Sequence, residues 1–132
     1  MLLKQRNTRF NWKYLAAFFV FLLTLFIFGT YSNYNLKTNG KFSTAHIIKI
    51  IYGAKANEYF KYEFKTSEGE EIIDIDLIHN LEVNNIFVGK SFLVIYDPDC
   101  PTDNRVITTP DIYEEYGLVF PDSLQWILKY TN

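Results

Sequence analysis

Three groups of side chains in this sequence have types and spacings that could do chemistry. Asp74 and Asp76 stand two apart in an alternating run, so a strand would place both carboxylates on one face. Glycoside hydrolysis uses two carboxyls held about 5 to 9.5 Å apart. Outward pairs on any strand meet that distance, and the pair by itself reads as a solvated strand face.

Cys100 is the only thiol, and His46 and His79 are the only imidazoles. A thiolate–imidazole nucleophile would need one histidine to converge on Cys100 in space, and nothing in the spacing brings that about. Asp97, Asp99, Asp103 and Asn104 gather oxygens in one loop, as a hard cation such as Ca²⁺ demands. The loop lacks the glycine that a calcium hand places sixth. Thr108 stands where its bidentate glutamate would be, and Pro98 and Pro101 stiffen the chain. Asx turns account for these aspartates. No Gly-rich phosphate loop is present, and the sequence leads us to expect no catalytic residue, no cofactor and no metal.

The elements that must position these residues begin with a membrane segment. Lys4, Arg6, Arg9 and Lys13 precede an apolar run from Tyr14 to Gly29, ended by Thr30 and Tyr31, in which Thr24 is the only hydroxyl between Leu15 and Gly29. As a helix, 14–31 would measure roughly 27 Å, close to the ~30 Å hydrocarbon core of a bilayer. The basic flank predicts a cytoplasmic N-terminus, and Trp12, Tyr14, Tyr31 and Tyr34 fall where amphipathic rings settle at the two headgroup levels. A cleaved signal sequence shares this basic–apolar order, with Gly29, Thr30 and Ser32 as small residues near a cut. The length of the run and the bulky Phe26, Ile27 and Phe28 at its end favour a retained anchor. A buried helix of a soluble protein is disfavoured because the run has no polar face.

Beyond the anchor, 32–42 is polar and reads as a short tether, followed by a β-domain over 43–108 and a helical tail over 109–132. Thr44–Tyr52 is rich in β-branched residues and predicts a first strand. Tyr59–Lys65 alternates, with Phe60, Tyr62 and Phe64 on one face. Ser67-Glu68-Gly69 supplies a turn, and Glu71–Ile78 resumes alternation with Ile73, Ile75 and Leu77 opposite Asp74 and Asp76. The mixed stretch from His79 to Val88 suits a loop or a single helical turn. Ser91–Tyr96 is apolar on both faces and predicts a covered, central strand. Arg105–Thr108 can form a short fifth strand. Thr109-Pro110-Asp111 opens one short helix and Pro121-Asp122-Ser123 a second; together they are expected to cap an open end of the sheet. The fold class expected is a single transmembrane helix followed by a small, about five-stranded antiparallel curled sheet or barrel with two short C-terminal helices.

Composition bounds the partners. All fifteen acidic residues follow the anchor, against nine of the thirteen basic ones, a formal charge of −6 for the exposed part. With no Lys/Arg cluster, that charge argues against nucleic acid. The lone cysteine means that packing, not an internal disulfide, holds the domain. Phe, Tyr, Asn, Ile and Lys supply 57 of the 132 residues. These residues have AT-rich codons, as in an AT-rich bacterial genome, and together with core filling that usage explains most of the aromatic content.

Gly40-Lys41 with Thr44-Ala45, Tyr59 to Phe64, and above all Gly89-Lys90-Ser91-Phe92-Leu93-Val94-Ile95-Tyr96-Asp97-Pro98 with Pro101 carry a resemblance. The pattern resembles a bacterial family of unknown function whose short membrane proteins place one or two helices beside a small β-barrel-like domain. The likeness covers about residues 40 to 108. It implies fold and membrane location and transfers no functional residue. The chain departs from the pattern at Cys100, where Asn is expected, and in its 111–132 tail.

These observations together lead us to expect a non-enzymatic single-pass protein of the bacterial cytoplasmic membrane, with its β-domain outside and bound to another envelope protein as accessory subunit or assembly factor. The tail rings Tyr113, Tyr116, Phe120, Trp126 and Tyr130 are the candidate contact residues, because aromatic side chains dominate interfaces; core packing is their alternative role. An immunity protein that neutralises a toxin at the membrane is the second expectation, since surplus negative charge would steer a basic partner. A weak hydrolase built on Asp74 and Asp76 or on Cys100 is the third.

Overall fold

The computed structural model describes residues 11–131; the basic residues Lys4, Arg6 and Arg9 lie outside that range. The chain divides into two compact units, 1–33 and 34–132. Helix α1 runs from Trp12 to Asn39 and is long and apolar enough to cross a membrane, with none of its apolar window buried by protein. Its hydroxyls bond back into the helix, Thr24 Oγ1 donating to the Val20 carbonyl and Thr30 Oγ1 to that of Phe26, each at 2.8 Å. Neither threonine hydroxyl would thus need a water partner in hydrocarbon.

The tether expected over 32–42 is corrected. Residues up to Asn39 are helical, and strand β1 starts at Lys41. Asn and Thr are poor helix formers, yet the last turns belong to the second unit and are held there by tertiary contacts. Leu36 is buried, and Asn35 Nδ2 donates to Asp97 Oδ2 at 2.7 Å. Gly40 makes the turn into β1, where a Cβ would collide with the Leu36 carbonyl and the Ile95 side chain.

Five antiparallel strands follow, β1 Lys41–Tyr52, β2 Glu58–Lys65, β3 Glu71–Leu77, β4 Ser91–Tyr96 and β5 Asn104–Ile107, in the order β3-β2-β1-β4-β5. They form the expected curled sheet, a half-barrel. The centre is β1, long enough to pair β4 through Lys41–His46 and β2 through His46–Tyr52, with a bulge at Ile48 between the two stretches of its ladder with β2. The β2–β3 hairpin turns at Gly69, whose φ of 86° suits glycine.

The concave side holds the core. Phe60, Phe64, Phe87 and Phe92 pack there with Val94, Tyr96 and Val106, and ring centroids lie 5.3 to 6.4 Å apart. As expected, β4 is covered on both faces. Phe92, Val94 and Tyr96 join the concave core, whereas Leu93 and Ile95 join a second cluster on the convex side with Ile107, Ile112 and Tyr113.

The tail does two jobs. Helix α2, Pro110–Glu115, lies over the convex face of β4 and β5. The 3₁₀ helix Asp122–Tyr130 brings Trp126, Ile127 and Tyr130 onto Phe87 at the concave core. Only the second fits the expected role of capping an open end of the sheet.

Candidate functional site

Five strands laid antiparallel in a row leave the first and last running the same way, so β3 and β5 meet across the gap of the half-barrel as parallel neighbours. Side chains bridge that gap. Asp76 Oδ2 accepts from the Val106 backbone N–H at 3.1 Å, and Asp74 Oδ2 accepts from Asn104 Nδ2 at 2.9 Å. The Tyr62 hydroxyl donates to Asn104 Oδ1, and Asp74 Oδ1 accepts from its neighbour's backbone, Ile75 N–H, at 2.8 Å. Burial pushes the Asp76 carboxyl up, against the pull of the Val106 N–H and the Arg105 guanidinium. Burial, with Asp76 and Asp74 nearby, pushes the Tyr62 phenol up.

The facing of β3 is therefore the reverse of the expected one. Asp74 and Asp76 are half-buried on the concave side, and Ile73 and Ile75 stand in solvent at 61% and 51% exposure. A strand's alternation fixes which residues share a face and leaves open which face is inward. Here the backbone donor on β5 and the Asn104 amide satisfy the carboxylates, so the polar set turns in. The space beside Asp76 is about 20 Å³, room for one water and too small for a sugar.

The other chemical candidates stay apart. Asp97 is buried and holds a turn, its Oδ1 accepting from Asp99 N–H at 2.9 Å, the Asx arrangement expected of it. Among the described residues no cluster of three His, Cys, Asp or Glu side chains could hold a metal ion. Cys100 is exposed in the β4–β5 turn, its Sγ 3.4 Å from Thr102 Oγ1. His46 reaches Ser91 instead, Nδ1 to Oγ at 2.7 Å, on the open convex face. His79 is an exposed loop residue.

The five tail rings named from the sequence are drawn into packing. Tyr113 is buried against Phe120, edge to face at 5.3 Å. Tyr116 lies under the Arg105 guanidinium at 5.8 Å, and Arg105 also bonds Glu115 at 2.9 Å. Trp126 and Tyr130 close on Phe87, and Lys90 sits 5.5 Å over the indole. None of the five is among the exposed large hydrophobic residues.

Among the exposed apolar residues beyond α1, Ile73 and Ile75 lie on the convex face of β1, β2 and β3, where no described element covers the sheet, while Ile86, Val88, Val119 and Leu128 stand outside the strands. Cross-strand register arranges this face in rows. Ser91, His46, Glu63 and Ile73 form one row across β4-β1-β2-β3, and Lys49, Lys61 and Ile75 form the next. An open cavity of about 510 Å³ borders it, between Ser43, Thr44 and His46 on β1, Glu63 and Lys65 on β2, and Glu71 on β3. It lies where the β1–β2 ladder ends at the His46–Glu63 pair and Ser43 Oγ takes over, donating to the Lys65 carbonyl at 2.6 Å. Of its charges Lys65 and Glu71 pair with each other at 3.5 Å, and the cavity is open to solvent, which suits contact with a surface better than the grip of a small molecule.

No family model, curated protein or solved structure matches this chain. The resemblance of residues 40–108 to a membrane-protein family thus rests on its punctuating motif. In the fold that motif is structural: Gly40 turns α1 into β1, and Gly89 to Pro98 builds β4 and its closing turn.

Proposed function

We propose that this is a non-enzymatic, single-pass protein of a bacterial cytoplasmic membrane, with its N-terminus in the cytoplasm and its half-barrel outside, and that the domain binds another protein as accessory subunit or assembly factor of an envelope complex. The observation that carries the reading is the bare convex face, with Ile73 and Ile75 side by side in solvent on a folded sheet. Large apolar side chains on an ordered face, rimmed by charge, mark protein contact surfaces. The possible acid–base pair supports the same reading, because Asp74 and Asp76 are engaged in holding β3 to β5.

A photo-crosslinking residue in place of Ile75, in the full-length protein in its own membrane, tests it. A covalent protein adduct is expected; no adduct there or at Ile73 overturns the reading. Cys100, the single thiol and an exposed one, tests the topology. A membrane-impermeant maleimide should label it in intact spheroplasts, and labelling only after lysis would place the domain inside. The formal charge of −6 beyond the anchor favours one second reading, an immunity protein. A basic toxin as the cross-linked partner would select it.

A further inference from the structure

We infer that the occupant of the bare convex face is the same face of a second copy of this chain. The inference rests on reading that face as a contact surface; it names a second copy as the occupant there and leaves any other envelope protein to bind the paired domains elsewhere. Lys61 and Glu63 stand two apart on β2, and their cross-strand neighbours on β3 are Ile75 and Ile73. A two-fold axis running across the strands, midway between these two rows, sets Lys61 against Glu63 of the other copy and Glu63 against its Lys61. The same axis sets Ile73 against Ile75 twice. An axis along either row would instead oppose like charges. The pattern is self-complementary, as an isologous interface requires, and a foreign partner would place no such demand on it.

A second observation points the same way. On β1 and β2, Lys49 lies directly opposite Lys61. Like charges at such a site destabilise a sheet. Neither lysine has an ion pair among the described residues, and Glu63 has none either. In the paired arrangement each lysine couple gains the other copy's Glu63. Two sheets packed face to face stand roughly 10 Å apart, a gap that isoleucine and lysine side chains fill from both sides. An anchor that confines both copies to one membrane raises their effective concentration, so a modest interface suffices.

Two differently tagged full-length copies in one membrane, solubilised in mild detergent and co-purified, supply the test. Wild type should self-associate. Lys61→Glu should lower recovery by about tenfold, since both symmetric contacts become repulsive, and Glu63→Lys should do the same. Lys61→Glu mixed with Glu63→Lys should recover wild-type association, because every contact between those chains is again opposite in sign. That mutual rescue also shows that both variants fold. Association unchanged in the single variants, or no rescue in the mixture, overturns the inference. The adduct at Ile75 separates the two levels: a different protein there overturns the second copy and leaves the contact face standing, whereas no adduct removes both.

Discussion

One sheet presents two convex surfaces. Over β4 and β5, Leu93, Ile95 and Ile107 are roofed by Ile112, Tyr113 and Phe120 from the tail. Over β1, β2 and β3, no described element covers Ile73, Ile75 and the charged rows beside them. The sheet is continuous between the two halves, so the difference lies in the side chains and in where the chain goes next. A face of apolar residues alone must be buried to be stable in water, and the chain supplies its own cover. A face that intersperses two isoleucines with lysine and glutamate stays soluble bare and keeps its apolar pair for a partner.

The contrast is broken most severely on the covered side. Truncating Ile107, fully buried between β5 and α2, to Ala should cost about 2 to 5 kcal/mol in urea unfolding, the range for a core cavity. Ile127→Ala, fully buried beneath the 3₁₀ helix, should cost a similar amount.

The gap between β3 and β5 comes next. Asp76→Ala leaves the Val106 N–H without its acceptor and should cost about 1 to 3 kcal/mol. Asp76→Asn keeps an acceptor and removes a buried charge. Because the folded carboxyl titrates above its unfolded value, its protonated form is the one folding favours. Its contribution is fully present below the unfolded pKa and is lost as pH rises through the folded one. Asp76→Asn should therefore gain on wild type as pH rises across that window and hold a constant difference above it. A difference that shrinks with rising pH would reverse the assignment.

On the bare side, Ile73→Asp should change stability by no more than about 0.5 kcal/mol while abolishing the protein adduct formed by the crosslinking residue at position 75. A large loss of stability there would mean that this half, too, is covered. The smallest effect is expected at Ser91→Ala. Its bond to His46 is exposed on the sheet surface, and its removal should leave both unfolding and association within error.

Much of this layout is legible residue by residue. The apolar run of α1 needs only bilayer arithmetic, and the alternation of Tyr59 to Lys65 with the turn at Gly69 predicts the hairpin without reference to anything distant. The residues proposed as the contact site were hidden for the same reason that the hairpin was visible. Alternation placed Ile73 with Ile75 and Asp74 with Asp76, but the inward choice depended on Val106 and Asn104, some thirty residues away. Hydrophobicity alone chose the wrong pair. In the tail, the sequence left contact and core as alternatives for the aromatic rings, and the structure packs Tyr113, Tyr116 and Phe120 beside Leu93, Ile95 and Ile107 and Trp126 and Tyr130 beside Phe87.

By itself, then, the sequence determined a helix able to cross a membrane, five short strands and a tail that returns to the sheet, because local periodicity, turn residues and length carry that information. Only the tertiary structure decided which face of β3 points inward, that 33–39 continues as helix, and which half of the convex surface stays open. Each of those choices is a contest between groups far apart in the chain, won by whichever arrangement satisfies buried polar atoms and covers apolar ones together.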